Sequence, residues 1–207
     1  MRETEGVIKF ELDHRDGPAP TTELGTLNAW RTVLHRLGLV GQVEGRYGGY
    51  GFGNVSVRDG AGFLISGTQT GRPENLDPDA YVAVLDCDPA ANRIVSQGRV
   101  KPSSESLTHG AIYTADSTVG CVLHAHSPEI WQRIDELGLP ATPADVAYGT
   151  PAMAETVATL LADSRMPRPG VFATRGHEDG VFAFGSRPDD AGMALVGVLA
   201  RALALAS

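Results

Sequence analysis

His124 and His126 are the residues of this sequence whose types and spacing first suggest chemistry. They follow the apolar residues 121–123, which predict a buried strand. Side chains on a strand alternate between its two faces, so both imidazoles should project from the same face, as two ligands of one metal ion must. Two polar rings at a buried strand end also need partners. The pair therefore predicts a divalent metal site, and hydrogen-bonded core histidines are the alternative.

Glu105 and His177 extend this candidate site. Glu105 ends the motif PSSE ahead of a predicted helix, and His177 ends the apolar segment 171–177 just before the turn HEDG. Three imidazoles that leave one coordination position open are typical of a catalytic rather than a structural zinc site. His109 shares a helix face with Glu105, which favours a local hydrogen bond for its ring. The remaining two histidines are interpreted as surface residues, His14 and His35.

Interleaved strands and helices must position these residues. Alternating or mostly apolar runs predict strands at residues 6–13, 54–58, 63–67, 81–88, 93–97, 121–126, 171–177 and 180–185. Helical spacing predicts helices at about residues 24–39, after residue 105, and at 128–137, 151–162 and 188–206. The expected N-caps are Thr21 or Thr22, Ser127 and Thr150. The expected buried face of the last helix consists of Met193, Val196, Leu199 and Leu203. Neighbouring strands along the chain predict an α/β protein with a mixed, largely antiparallel sheet.

Length and composition limit the classes of function. A chain of 207 residues with 42% apolar and 20% charged residues is expected to form one domain over residues 1–207, with residues 1–20 as an N-terminal strand and loop extension. A net charge of -8 argues against a nucleic-acid partner, but it does not exclude a small anionic substrate that is held by local donors. Without a membrane-length apolar run or a signal-peptide pattern, the expected location is cytoplasmic and no membrane partner is expected.

Several short motifs, taken in order, resemble the class II aldolase/adducin family. They are GNVSVR (53–58), LISGT (64–68), PSSE (102–105) with His109 and Tyr113, HAH (124–126), and GH (176–177) followed by GVFAFG (180–185). Each string alone is unspecific. Their order, together with the 19 residues from Glu105 to His124, carries the resemblance, which extends from the first predicted helix to the last.

The resemblance implies a three-layer α/β/α fold with a central, mainly antiparallel sheet. It also implies Zn²⁺ or another divalent metal bound by His124, His126 and His177, with Glu105 able to ligate the resting metal and to act as acid or base. A phosphate pocket is implied at five positions that offer hydroxyl, amide or backbone donors, namely Gly53, Asn54, Thr68, Ser103 and Ser104. Helix capping is the alternative role of Ser103.

The function that the resemblance implies is cleavage of a carbon–carbon bond in a small hydroxylated carbonyl compound such as a sugar phosphate. Such a lyase would work through a metal-stabilised enediolate. Epimerisation, dehydration or decarboxylation at the same metal are alternatives, and a non-catalytic scaffold like the adducin head is another. The family also implies a homo-oligomer, a tetramer with sites between subunits. The glycine-dense segment 47–54 and a polar loop with Arg72, which could accommodate a different anion, depart from the family pattern.

Overall fold

The computed structural model describes residues 6–206, so the first five residues of the predicted N-terminal extension lie outside the described part. The strands are β1 Glu11–Arg15, β2 Gly41–Gln42, β3 Gly51–Phe52, β4 Asn54–Asp59, β5 Gly62–Ser66, β6 Tyr81–Asp88, β7 Arg93–Gln97, β8 Cys121–His126, β9 Ala141–Thr142, β10 Gly170–Thr174 and β11 Gly180–Gly185. The α-helices are α1 Gly25–Arg36, α2 Ser106–Ala115, α3 Pro128–Trp131, α4 Ile134–Leu137, α5 Pro151–Ala162 and α6 Pro188–Ala204. Short 3₁₀ turns lie at Tyr47–Gly49 and Pro78–Ala80.

Nine of these strands form one sheet, in the order β1-β7-β6-β5-β4-β8-β11-β10-β9. Only the two outermost pairs, β1 with β7 and β9 with β10, run parallel, and the pairs between them are antiparallel. Strands β2 and β3 pair separately. The predicted mixed, mainly antiparallel sheet is confirmed.

Helices cover both faces of this sheet. On one face, α1 and α6 pack with the odd-numbered residues of β8, which are Cys121, Leu123 and Ala125. On the other face, α2 and α5 pack with Val122 of β8 and with three phenylalanines, Phe172, Phe182 and Phe184. Each face of the sheet thus has its own apolar cluster. The arrangement is the three-layer α/β/α fold that the resemblance implied.

Most predicted strands are confirmed, including the β4–β5 hairpin and the bounds of β6, β7 and β8. The first strand begins later than predicted, at Glu11, and it forms one edge of the sheet. Phe10, just before it, is buried, and Ile8 and Leu12 pack against the same apolar cluster. Both predicted N-caps that directly precede a proline are also confirmed. The hydroxyls of Ser127 and Thr150 accept hydrogen bonds from backbone N–H groups three residues on, at 3.3 Å each.

Three helix predictions are wrong in detail. Helix α1 has 12 residues and no side-chain cap, because its N-cap is Leu24 and not Thr21 or Thr22; the Thr22 hydroxyl donates to Asp59 at 3.0 Å. The helix predicted over 128–137 divides into α3 and α4. In α6 the predicted face is only partly confirmed, since Leu199 is buried but Met193 is 66% and Leu203 49% exposed. The buried face includes Gly192 instead, where a Cβ would lie 2.2 Å from the Trp30 ring, so only glycine permits such close packing with α1.

Within residues 6–206, no helix is long and apolar enough to cross a membrane.

Candidate metal centre

The candidate residues meet at one edge of the sheet because of the strand order. Strand β8 ends at His126, which lies opposite Gly180 at the start of β11. His124 lies opposite Asn54 at the start of β4. Strand β10 also ends at this edge, and the loop from it to β11 carries His177. Antiparallel pairing therefore brings segments that are distant in sequence to one edge.

Three histidines converge there. Ligand atoms of His124, His126 and His177 all lie within 4.8 Å of one another, and all three side chains are buried. The His124 and His126 rings are 5.0 Å apart between centroids, as the alternation of β8 predicted. Glu105 is not one of the converging groups in the described chain, but it lies beside them. Three imidazoles at this spacing suit a tetrahedral ion that keeps one further position.

His124 shows that the cluster fits a metal. Its Nδ1 lies 3.2 Å from the carbonyl oxygen of Val181, and a carbonyl can only accept, so Nδ1 carries the proton. The lone pair is therefore on Nε2, which is buried and has no hydrogen-bond partner. Such a backbone contact fixes the tautomer and orientation of metal-bound histidines.

Burial keeps two of these rings neutral. It is the main cause that lowers the pKa of His124 well below its ordinary value, and neighbouring His177 lowers it further. The pKa of His126 is lowered in the same direction by burial, by His177 and His124, and by the positive charge of Arg46. A neutral imidazole is the form that binds a metal ion, so the electrostatics agree with the tautomer of His124.

Glu105 is buried next to this cluster, just before α2. Its Oε1 lies 3.3 Å from Nδ1 of His177, and its Oε2 accepts a hydrogen bond from the Thr108 hydroxyl at 2.8 Å. Thr108 lies one helical turn further on and holds the carboxylate in place. A carboxylate at this position can take up or return a proton beside the cluster.

His109 has a structural hydrogen bond, as predicted, but its partner lies on β4 and not on its own helix. Its Nδ1 lies 2.7 Å from the Ser56 hydroxyl, which also contacts the Tyr113 hydroxyl at 2.8 Å. Burial lowers the pKa of His109 to about 3, so its ring is neutral. Of the two predicted surface histidines, His14 contacts Ser96 and His35 contacts the Arg72 carbonyl.

The five residues implied for a phosphate pocket lie on segments at the same edge. Asn54 faces His124 across the strand pair, and Gly53 precedes it with a φ of +72°. The backbone N–H of Thr68 donates to the backbone carbonyl of Lys101 at 2.9 Å, which places Thr68 beside the PSSE motif. Ser103 and Ser104 are both buried. The Ser103 hydroxyl accepts from the N–H of Glu105 at 3.3 Å, so the alternative role in helix capping is also met.

Aromatic residues around the cluster were not predicted. Tyr47 contacts the His126 ring edge-on at 4.6 Å, and Tyr148 stacks on His177 at 4.6 Å. The Tyr47 hydroxyl donates to Asp179 at 2.6 Å and accepts from Arg46 at 2.9 Å. The sequence contained only weak indications of these contacts, namely the glycine-dense segment around Tyr47 and the turn after His177.

The fold and the cluster together define an α/β protein with a candidate metal centre of three histidines beside a glutamate. The family model described as the Class II Aldolase and Adducin N-terminal domain matches residues 44–203. This range is most of the chain, and the protein belongs to that family.

Solved structures share the fold. L-fuculose-1-phosphate aldolase from Thermus thermophilus is 20% identical, with a TM-score of 0.65 over 87% of this chain and 91% of that chain. YgbL from Klebsiella pneumoniae, with aldolase, epimerase and decarboxylase as its candidate activities, is 16% identical, with a TM-score of 0.65 over 87% and 86%. A class II aldolase domain from Thermoplasma acidophilum is 14% identical, with a TM-score of 0.61 over 91% and 95%. The comparison with curated protein sequences found no match.

Proposed function

We propose that the protein is a metal-dependent lyase that cleaves a carbon–carbon bond in a small hydroxylated carbonyl compound, with a sugar phosphate as the favoured substrate class. The observation that carries this proposal is the buried convergence of His124, His126 and His177 within 4.8 Å beside Glu105. All four residues occupy positions that the family motifs gave them.

In this proposal the three histidines hold Zn²⁺ or another divalent transition metal. A bound ion would supply Lewis-acid chemistry, which would withdraw electron density from a substrate carbonyl and favour the negative charge that cleavage leaves. His124 is oriented for this role by its bond to the Val181 carbonyl, and burial keeps the His124 and His126 rings neutral.

Glu105 is the proposed acid or base. Its carboxylate has one oxygen held by Thr108 and the other directed to His177, so it can move a proton without leaving its position. Ligation of the resting metal is a second proposed role for it. The hydroxyl, amide and backbone donors of Gly53, Asn54, Thr68, Ser103 and Ser104 are the proposed contacts of a phosphate group.

Other reactions use the same residues. Epimerisation, dehydration or decarboxylation would also pass through a carbanion-like state beside the cluster, and YgbL, with its three candidate reactions, shares this fold. A non-catalytic scaffold is disfavoured by the complete set of three histidines and a glutamate. A cytoplasmic homo-oligomer, a tetramer by family resemblance, completes the proposal.

Two variants test the proposed roles separately. Glu105→Gln keeps the shape of the side chain and all three histidine ligands but removes the proton step, so the metal content should fall far less than in a ligand-deletion variant, while cleavage of sugar phosphates and hydroxy-keto acids falls by about 100-fold or more. His124→Ala removes a ligand, so the metal content itself should fall. Elemental analysis of the purified proteins and product analysis measure the two effects.

His14→Gln is the matched control, because His14 lies outside the cluster on β1. It should change neither quantity. A wild-type protein that binds no divalent metal would contradict the proposed metal site. A Glu105→Gln variant with full activity would contradict the proposed role of Glu105. Inversion of a hydroxyl group without cleavage would move the assignment to an epimerase.

A further inference from the structure

Arg46 places a positive charge close to the histidine cluster. Its guanidinium carbon lies 5.1 Å from the centre of the Tyr47 ring and 4.7 Å from that of Phe52. Those two rings in turn lie 4.6 and 5.6 Å from the His126 ring. The Tyr47 and Phe52 rings thus contact both the guanidinium and the ring of His126, a candidate metal ligand.

The guanidinium has hydrogen-bonding capacity left. An arginine offers five N–H groups in a planar fork. Among residues 6–206, Arg46 donates from Nη2 to the Tyr47 hydroxyl at 2.9 Å and weakly from Nη1 to the Gly38 carbonyl at 3.4 Å. The remaining N–H groups are available to a ligand.

The Tyr47 hydroxyl lies between Arg46 and the Asp179 carboxylate and bonds to both. Asp179 accepts the Tyr47 hydroxyl proton at 2.6 Å, and within the described chain Arg46 forms no ion pair with any carboxylate. The charges of Arg46 and Asp179 act on each other, but the guanidinium bonds directly to no carboxylate in the described chain, so its remaining N–H groups suit an external anion.

The donors assigned to the phosphate pocket carry no net charge. Gly53, Asn54, Thr68, Ser103 and Ser104 supply hydroxyl, amide and backbone groups, which orient an anion but do not neutralise it. Phe52, on which Arg46 packs, directly precedes Gly53, so the guanidinium borders this same segment.

We propose that Arg46 binds the anionic group of the substrate, a phosphate or a carboxylate, and so restricts the substrates to short anionic molecules whose other end reaches the histidine cluster. This inference rests on the proposed function, because it takes the cluster as the metal site to which that other end binds. Arg46 is thereby a specificity-determining residue.

Three hydroxamates test this proposal on the zinc-loaded protein by isothermal titration calorimetry. Acetohydroxamate chelates a metal and carries no anionic tail, phosphoglycolohydroxamate adds a phosphate, and the monohydroxamate of malonic acid adds a carboxylate. In Arg46→Met, affinity for one or both anionic probes should fall by about 10- to 100-fold, whereas affinity for acetohydroxamate should stay within about 2-fold of wild type. The probe that loses affinity identifies the anion.

Arg72→Met tests the competing candidate, since it removes the exposed arginine of the polar loop that departs from the family pattern. It should leave all three affinities unchanged. Arg46→Lys keeps the charge and the aliphatic stem but not the planar fork, and an intermediate loss is expected. This variant also serves if Arg46→Met does not fold.

The outcomes separate the two proposals. An equal loss of affinity for all three probes in Arg46→Met would show that Arg46 only supports the fold of the segment. Unchanged affinities in Arg46→Met, or a loss of affinity in Arg72→Met instead, would also overturn the inference. In each of these cases the proposed metal site stands. If acetohydroxamate does not bind wild-type zinc-loaded protein, the proposed metal chemistry itself fails, and the inference fails with it.

Discussion

Ser56 holds two polar side chains of α2 inside the apolar layer between the sheet and that helix. Its hydroxyl contacts His109 Nδ1 at 2.7 Å and the Tyr113 hydroxyl at 2.8 Å, and its own exposed fraction is 0%. Burial raises the pKa of Tyr113 well above its ordinary value, so the phenol keeps its proton. A buried network of this kind stabilises the fold only while each member has its partner.

Removal of the Ser56 hydroxyl should therefore destabilise the protein. We expect Ser56→Ala to lower the free energy of unfolding by about 1–3 kcal/mol, because the buried side chains of His109 and Tyr113 each lose a hydrogen-bond partner. Urea unfolding followed by circular dichroism measures this difference. Thr159→Ala, whose exposed hydroxyl donates only to Glu155 within α5, should stay within about 0.5 kcal/mol of wild type. Equal stability of Ser56→Ala and wild type would show that the network contributes nothing.

The positions of single site residues could be predicted where they depend only on spacing within one strand or helix. The spacing of His124 and His126 fixes their common face through strand alternation alone. His177 was added to the site from its position at the end of an apolar segment and before a turn, but its approach to the other two histidines depends on the pairing of β8, β10 and β11, which no local pattern contains. The contact from Tyr47 to Asp179 joins residues 132 positions apart and left no local pattern.

Gly53 is the point at which the glycine-dense segment enters the central sheet. Its φ is +72°, and a Cβ there would lie 2.7 Å from Val40 Cγ2 and 3.0 Å from the His124 carbonyl oxygen. The segment thus passes directly against the backbone of a candidate metal ligand. Only a residue without a side chain fits this position.

Gly53→Ala should combine two penalties that a second variant separates. Gly45 has a φ of +86° but no atom within 4 Å of its hypothetical Cβ. Gly45→Ala should therefore cost only the backbone strain, about 1–2 kcal/mol. Gly53→Ala should cost at least about 2 kcal/mol more, since backbone and core atoms must also shift. Thermal and urea unfolding provide the comparison, and equal costs would argue against the steric contact.

Elements were predictable where local sequence and tertiary packing agree. The β4–β5 hairpin has a DGAG turn between two apolar runs, and α5 has a threonine cap followed by proline. Helix α6 shows the opposite case. Its large apolar residues suggested one face, but the close approach of Trp30 to Gly192 selects another. The partner helix decides which stripe is buried, and no local pattern contains that information.

Asp116 ties distant parts of the α2 and α5 layer together. Its carboxylate accepts from the Thr118 hydroxyl at 2.6 Å and from Arg168 Nε at 2.7 Å. The Thr118 hydroxyl is the main cause that holds the pKa of Asp116 below its ordinary value of 3.8, and Arg168 lowers it further. A lowered pKa in the folded state means that this stabilisation is present above pH 3.8 and is lost as the pH falls through the folded-state value.

The stability difference between wild type and Asp116→Asn should follow this pH dependence. Near pH 7 the wild type should be more stable by up to about 1 kcal/mol, because the pair is only partly shielded from water. At pH values below the folded-state pKa the difference should vanish. Chemical unfolding at a series of pH values measures it. A difference that is constant with pH would show that the carboxylate charge plays no part.

At the scale of the whole molecule, the class of fold followed from the order of elements and from the family motifs. The strand order did not, because β8 pairs with β4 on one side and β11 on the other, neighbours far from it in sequence. That order assembles the site, so the site was predictable as a set of residues but not as an arrangement.

The register of β8 also limits how the chain can vary in length. His124 and His126 share a face with Val122, whereas Leu123 and Ala125 belong to the opposite apolar cluster. Insertion or deletion of one residue within this strand would exchange the two sets, so that aliphatic side chains replaced the imidazoles and the imidazoles entered the layer of α1 and α6. Length changes in the surface turns leave this alternation intact. In evolution, insertions should therefore accumulate in the turns, while the central strand keeps a fixed number of residues.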